Sequence, residues 1–160
     1  MRPGRRRLRI RSGLPGVPCR QSYLVVGNQT LDSPTLAAAI AERAGRGPAT
    51  FRVVVPATPT KGGLTWDEDE GRAGARQRMD AMLLRPRTDG VAATGEIGAP
   101  DPIEAVEDAV RGREVDEILL SSRPSGISRW LGQDVPSRLK GSVLIPVVVL
   151  TAEREMIQPA

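Results

Sequence analysis

The sequence predicts an α/β domain built on an open, mostly parallel five-stranded sheet with helices on both faces. Three observations predict it. Five short apolar runs recur along the chain, four amphipathic stretches separate them, and nearly every stretch opens and closes on helix-boundary residues. Strict alternation of strand and helix makes consecutive strands parallel through right-handed crossovers.

Tyr23-Leu-Val-Val26 is the first buried strand, closed by Gly27-Asn28. Ser33 then caps a helix with Pro34 at its first position. Leu36, Ile40 and Ala44, with Ala37 and Ala41 beside them, give it an apolar face, and Gly45 ends it. Phe51 to Pro56 is the second strand, stopped by the proline. Thr65 and Glu68 have the spacing of a capping box for the next helix. The acids Asp67 to Glu70 suit the positive end of its dipole better than they suit a metal site. Ala75, Met79, Met82 and Leu83 form the buried stripe, and Pro86 ends the helix near Arg85.

Asp89-Gly90 turns the chain into Val91–Ile97, whose alternation suits an edge strand with Thr94 and Glu96 on the face opposite Val91, Ala93 and Ile97. Asp101, Pro102 and Glu104 place a cap, an N1 proline and an N3 acid at the start of the third helix. Ile103, Val106 and Val110 form its inner face, and Gly112 marks its end. A fourth strand starts at Glu117 and breaks into Ser121-Ser-Arg-Pro-Ser-Gly126. A helix over Ile127–Lys140 and a last strand from Pro146 to Leu150 follow. Small polar residues between a buried strand and a helix are where open α/β sheets hold their ligands.

The charge is unevenly spread. Seven arginines and no acid lie in the first 20 residues; setting them aside leaves 16 basic against 19 acidic residues, net −3 where the whole chain carries +4. Residues 1–20 are expected to be a disordered arginine-rich tail, 21–153 the domain and 154–160 a second tail. That arm is the one route to nucleic acid or an anionic surface, since four aromatic residues are too few for a base-stacking platform. No run approaches the ~20 apolar residues of a membrane span, so the expected location is the cytoplasm. The chain has one cysteine, Cys19, and no histidine. It therefore lacks the usual zinc ligand and the side chain best suited to proton transfer near neutral pH, and no metal or catalytic residue is assigned.

Over Tyr23 to about Glu153 the chain resembles the universal stress protein family. The residues that carry the resemblance are Val25-Val-Gly-Asn28, Asp101-Pro-Ile-Glu-Ala-Val106, Val115-Asp-Glu-Ile-Leu-Leu-Ser-Ser-Arg123 and a final strand introduced by Pro146. The resemblance implies a three-layer Rossmann-like fold, of the adenine nucleotide alpha hydrolase-like kind, with strand order 3-2-1-4-5. It also implies dimers formed through the last strand and stress-linked roles without a settled reaction. Many members bind ATP through an acid at the end of strand one and a Gly-x-x-Gly-x(9)-Gly-Ser/Thr pattern after strand four.

This chain departs from each anchor. Asn28 stands at the acid, Ser121 and Pro124 at the first two glycines, and Asp134 with Val135 at the last pair. Proline removes a donor, and a carboxylate facing the cradle would repel phosphate. The candidate nucleotide-binding set is Asn28, Thr30, Pro56, Ser121, Ser122, Arg123, Gly126, Ser128 and Arg129. Arg123 and Arg129 are positioned to meet an anion, although Gly126 also serves a turn and Arg129 equally suits a solvated helix face. Val147, Val148, Val149 and Leu150 are apolar on both faces of the last strand, which a two-fold partner or the chain's own helices must cover. The expected function is a non-catalytic regulatory or interaction domain, homodimeric, with weak or lost nucleotide binding. The alternative is an ATP-binding switch with a rearranged loop after strand four. No cofactor is required by the sequence, and ATP is the ligand the resemblance offers.

Overall fold

A computed structural model describes residues 20–28, 30–57, 68–83, 92–122 and 135–151. Their elements run β1 (Gln21–Val26), α1 (Pro34–Ala44), β2 (Ala49–Pro56), α2 (Glu68–Leu83), β3 (Ala92–Gly98), α3 (Pro102–Val110), β4 (Glu117–Ser122), α4 (Val135–Ser142) and β5 (Val147–Thr151). The strands form one sheet in the order β3-β2-β1-β4-β5, and each neighbouring pair is parallel. The fold class is as the alternation of elements predicts, and the strand order is the one the family resemblance implies.

The pleat divides the core into two layers. Leu24, Val26, Val54, Ile118 and Leu120 face α3 and α4, meeting Ile103, Ala105, Val106, Ala109, Val135 and Leu139. Tyr23, Val25, Phe51, Val53, Val55 and Leu119 point the other way, onto Leu31, Leu36, Ala75 and Met79. The central strands are apolar at consecutive positions because both of their faces are buried, as in other parallel sheets. Tyr23 and Phe51 stack across β1 and β2 with ring centroids 5.0 Å apart, which adds to the burial of both rings.

Helix ends behave as expected. Ser33 Oγ accepts from Leu36 N–H at 3.3 Å, and Asp101 Oδ1 accepts from Ile103 N–H at 3.0 Å. Gly45 ends α1, and Gly112, with φ of 69°, turns the chain out of the third crossover. Leu36, Ile40 and Ala44 of α1 pack on the core as expected, the last two partly, but the positions beside them differ. Leu36, Ala39 and Arg43 are buried, whereas Ala37 and Ala41 are exposed. A charged residue takes the core-facing position because β4 supplies its partner. Glu117 Oε1 accepts from Arg43 Nε at 2.9 Å and from Nη2 at 2.5 Å, while Nη1 donates to Ala39 O at 3.1 Å.

Strands β1 and β2 both begin two residues earlier than the apolar runs suggest. Gln21 N–H donates to Pro48 O at 2.9 Å, which extends the pairing below Tyr23. Ala93 and Ile97 of β3 pack beside Met79, and β3 is an edge, as its alternation predicts. Arg52 and Glu96 lie on the opposite side of the sheet, 3.6 Å apart, and Arg52 Nη2 donates to Ala109 O near the end of α3. Burial, with Arg113 beside it, lowers the Arg52 pKa, and Glu96 opposes that shift.

The helix expected over 127–140 is described from Val135 onward and runs on to Ser142. The proposed capping box, the end of α2 near Arg85 and both tails lie outside the described residues. Among the described residues no helix is long and apolar enough to cross a membrane.

Candidate functional site

The β1–β4 pair is where the sheet changes direction. From β1 the chain crosses to β2 on one side, and from β3 it crosses back over β1 and β2 to β4 on the other. The two crossovers diverge there, and in open α/β sheets the crevice beyond the carboxyl ends of such strands is the usual ligand position. Four of the described candidates meet at this end: Asn28 and Thr30 after β1, Pro56 at the end of β2, and Ser121 in β4. Gly27 makes the approach possible. A Cβ there would lie 3.0 Å from Leu31 Cδ2 and 3.4 Å from Ser121 Cβ, so a side chain would press on Leu31 while just touching β4.

Each of these polar groups has a partner within the chain. Asn28, 7% exposed, donates from Nδ2 to Pro56 O at 2.9 Å. Its Oδ1 accepts from Arg78 Nη1 of α2 at 2.6 Å. Ser121 Oγ donates to Thr30 Oγ1 at 2.7 Å, with Thr30 O at 3.4 Å. Thr30 O also accepts from Ser33 N–H at 3.0 Å, which ties the turn to the cap of α1. Ala57 N–H, next to Pro56, donates to Gly98 O at 3.2 Å and so continues the β2–β3 ladder.

Ser122 is different. It lies on the other face of β4, is 2% exposed, and its Oγ has no hydrogen-bond partner among the described residues. A buried hydroxyl left unmatched costs about 1–3 kcal/mol, so such a group is either a strain reservoir or a contact awaiting its counterpart. Val135, which the resemblance places at the hydroxyl of the last motif pair, is a core residue at the start of α4, 1% exposed. Arg123, Gly126, Ser128, Arg129 and Asp134 lie outside the described residues. Among the described residues, no group of three or more potential metal ligands comes together.

Arg78 is the cleft residue that the sequence reading missed. It sits beside the Ala75–Met79 stripe, where an arginine reads as a solvated flank. Its contact with Asn28 spans 50 positions, and no periodicity encodes a pairing over that distance.

No protein-family model matches the chain, and no curated protein matches it significantly. Solved structures do. A protein from the universal stress protein family from Burkholderia pseudomallei superposes with a TM-score of 0.59 at 21% identity, over 81% of this chain and 95% of that one. Universal stress protein UspA from Lactobacillus plantarum gives 0.59 at 19% identity, over 83% and 99%. The fold is that of the universal stress proteins. Its five-stranded order and its switch point are thus reached by a sequence that shares about a fifth of its residues with either neighbour.

The edge strand β5 carries the residues expected at a universal stress protein dimer contact. Val147 and Val149 pack partly against the α3–α4 layer, and Val148 and Leu150 partly against the α1–α2 layer. The chain's own helices therefore give all four partial cover. Leu144, just before the strand, is fully exposed.

Proposed function

We propose that this chain is a universal stress protein-like regulatory or interaction domain, non-catalytic, with weak or lost nucleotide binding. The observation that carries the reading is the self-satisfied crevice. Asn28 holds Pro56 O and Arg78, Ser121 holds Thr30, and Ala57 N–H is committed to Gly98. A ligand that competes for these contacts exchanges one hydrogen bond for another, which gains little. The buried Val135 adds to this, since it offers no hydroxyl to a phosphate. Calorimetry of ATP with purified protein tests the reading; a dissociation constant of low micromolar or below refutes it. Absence of ATP turnover with magnesium is the expected result of the matching activity assay.

The second reading, an ATP-binding switch with a rearranged loop after β4, is favoured by Ser122. Its buried hydroxyl at the carboxyl end of β4 is unmatched among the described residues. Adenine nucleotide released by heat from freshly purified protein, and detected by chromatography, would establish this reading over the first.

The proposed assembly is a homodimer through β5. It is supported by the partial cover of Val147 to Leu150 and by the exposed Leu144 beside them. Light scattering at several concentrations checks it, and a monomer mass throughout rejects it. A cytoplasmic location and a link to stress remain parts of this proposal.

A further inference from the structure

Asn28 uses both polar ends of its carboxamide. Its Nδ2 donates to Pro56 O at 2.9 Å and its Oδ1 accepts from Arg78 Nη1 at 2.6 Å. A carboxylate could keep the second bond but has no proton for the first, and an aliphatic side chain could make neither. The two partners lie on different elements. Pro56 closes β2 at the crevice, whereas Arg78 belongs to α2, a helix that docks on the sheet beside it.

That docking is narrow. Between positions 72 and 83, Ala75 and Met79 are buried and Met82 and Leu83 are partly so. Met79 reaches the sheet over Gly95, where a Cβ would stand 2.6 Å from its Sδ. The Arg78–Asn28 bond is a polar tie from this helix to the crevice, made at the residue that also holds the end of β2.

We propose that Asn28 is a positioning residue that couples the state of the switch-point crevice to the docking of α2. A molecule that turns the Asn28 carboxamide aside withdraws its Oδ1 from Arg78 and loosens the helix. The proposal rests on reading the chain as a binding module rather than an enzyme.

Hydrogen–deuterium exchange on the full chain, without added ligand, tests it. Asn28→Ala and Asn28→Asp both abolish donation to Pro56 O, but the aspartate still offers Arg78 an acceptor. Amides of α2 are expected to exchange about tenfold faster in Asn28→Ala, the scale of one charge-assisted hydrogen bond lost from local opening. In Asn28→Asp they are expected to stay near the wild-type rate, and Arg78→Ala is expected to behave as Asn28→Ala does. Wild-type exchange of α2 in Asn28→Ala overturns the coupling, and so does equal acceleration by alanine and aspartate. Should Asn28→Ala fail to fold, Arg78→Ala decides alone, and unchanged α2 exchange there overturns the proposal. Because no nucleotide enters the measurement, tight ATP binding would defeat the functional reading and leave this coupling standing.

Discussion

Gly98 closes β3 against α3, and its replacement by alanine is expected to destabilise the domain. An added Cβ would lie 2.7 Å from Ala105 Cβ, 3.1 Å from Val54 Cγ1 and 3.4 Å from Ala105 Cα. The two Ala105 atoms cannot swing away: a methyl one bond from a helix backbone moves only if α3 moves. Ala105 and Val54 are both fully buried against Ile103 and Leu120, so displacement of α3 spreads through that layer. Overpacking of this kind costs about 1–3 kcal/mol. Against it stands a gain of about 0.4–1 kcal/mol from restricting the unfolded chain. The clash wins, for a net loss of about 1–2 kcal/mol, or roughly 2–8 °C in Tm for a domain of this size. Urea or thermal denaturation measures it. The argument is specific enough to require a rescue. In an Ala105→Gly background the same substitution should cost close to nothing, because the opposing methyl is gone, giving a coupling of about 1–2 kcal/mol in the double-mutant cycle. A neutral or stabilising Gly98→Ala, or additive effects in the cycle, would refute the packing account.

Glu117→Ala strands the buried Arg43 guanidinium and is expected to cost about 3 kcal/mol in urea denaturation, with much of that recovered in Arg43→Met/Glu117→Leu. Tyr23 is the one tyrosine of the chain, so its ionisation is read directly by ultraviolet absorbance. Burial first, and then Glu117, raise its pKa above the usual 10.0. Folding therefore gains from protonated Tyr23 fully below the unfolded value, and that gain is lost as pH rises from about 10 through the folded value. Glu117→Gln should bring the absorbance midpoint down without returning it to that of a free tyrosine, because burial remains. Ser121→Ala breaks the bond to Thr30 and is expected to cost about 1 kcal/mol. Ser122→Ala removes an unmatched buried oxygen and should be neutral or stabilising by up to about 1 kcal/mol, both by chemical denaturation.

Most of the fold was legible because it is written locally. Ser33-Pro34 and Asp101-Pro102 announce helix starts within four residues. Apolar runs at 23–26, 118–120 and 147–150 announce strands without reference to anything distant. What was not legible depends on pairs far apart in sequence. Arg43 looks solvent-facing on its own helix and is buried only because Glu117 comes to meet it, 74 positions on. The strands begin at Gln21 and Ala49 because neighbours pair there, while the side chains at those positions are too polar or too small to signal it. Arg78 stayed hidden for the same reason.

The candidate site shows this division within single residues. The sequence reveals that Asn28 is not the acid found in nucleotide-binding relatives of the fold, and stops there; replacement by a neutral group reads as loss. The structure gives the replacement a task, because a carboxamide can donate to Pro56 O and accept from Arg78 while a carboxylate cannot do both. The adjacent serines divide likewise. Alternation along β4 sends Ser121 to the Thr30 side, where it is matched, and Ser122 to the α3–α4 side, where it is not. Two identical side chains one position apart thus carry opposite implications: Ser121 belongs to the closed crevice, and Ser122 is the group through which a ligand would gain a hydrogen bond without first breaking one. Any residual nucleotide affinity should therefore fall on Ser122→Ala and be nearly indifferent to Asn28→Asp, a contrast that separates binding at the β4 end from binding at the β1 turn.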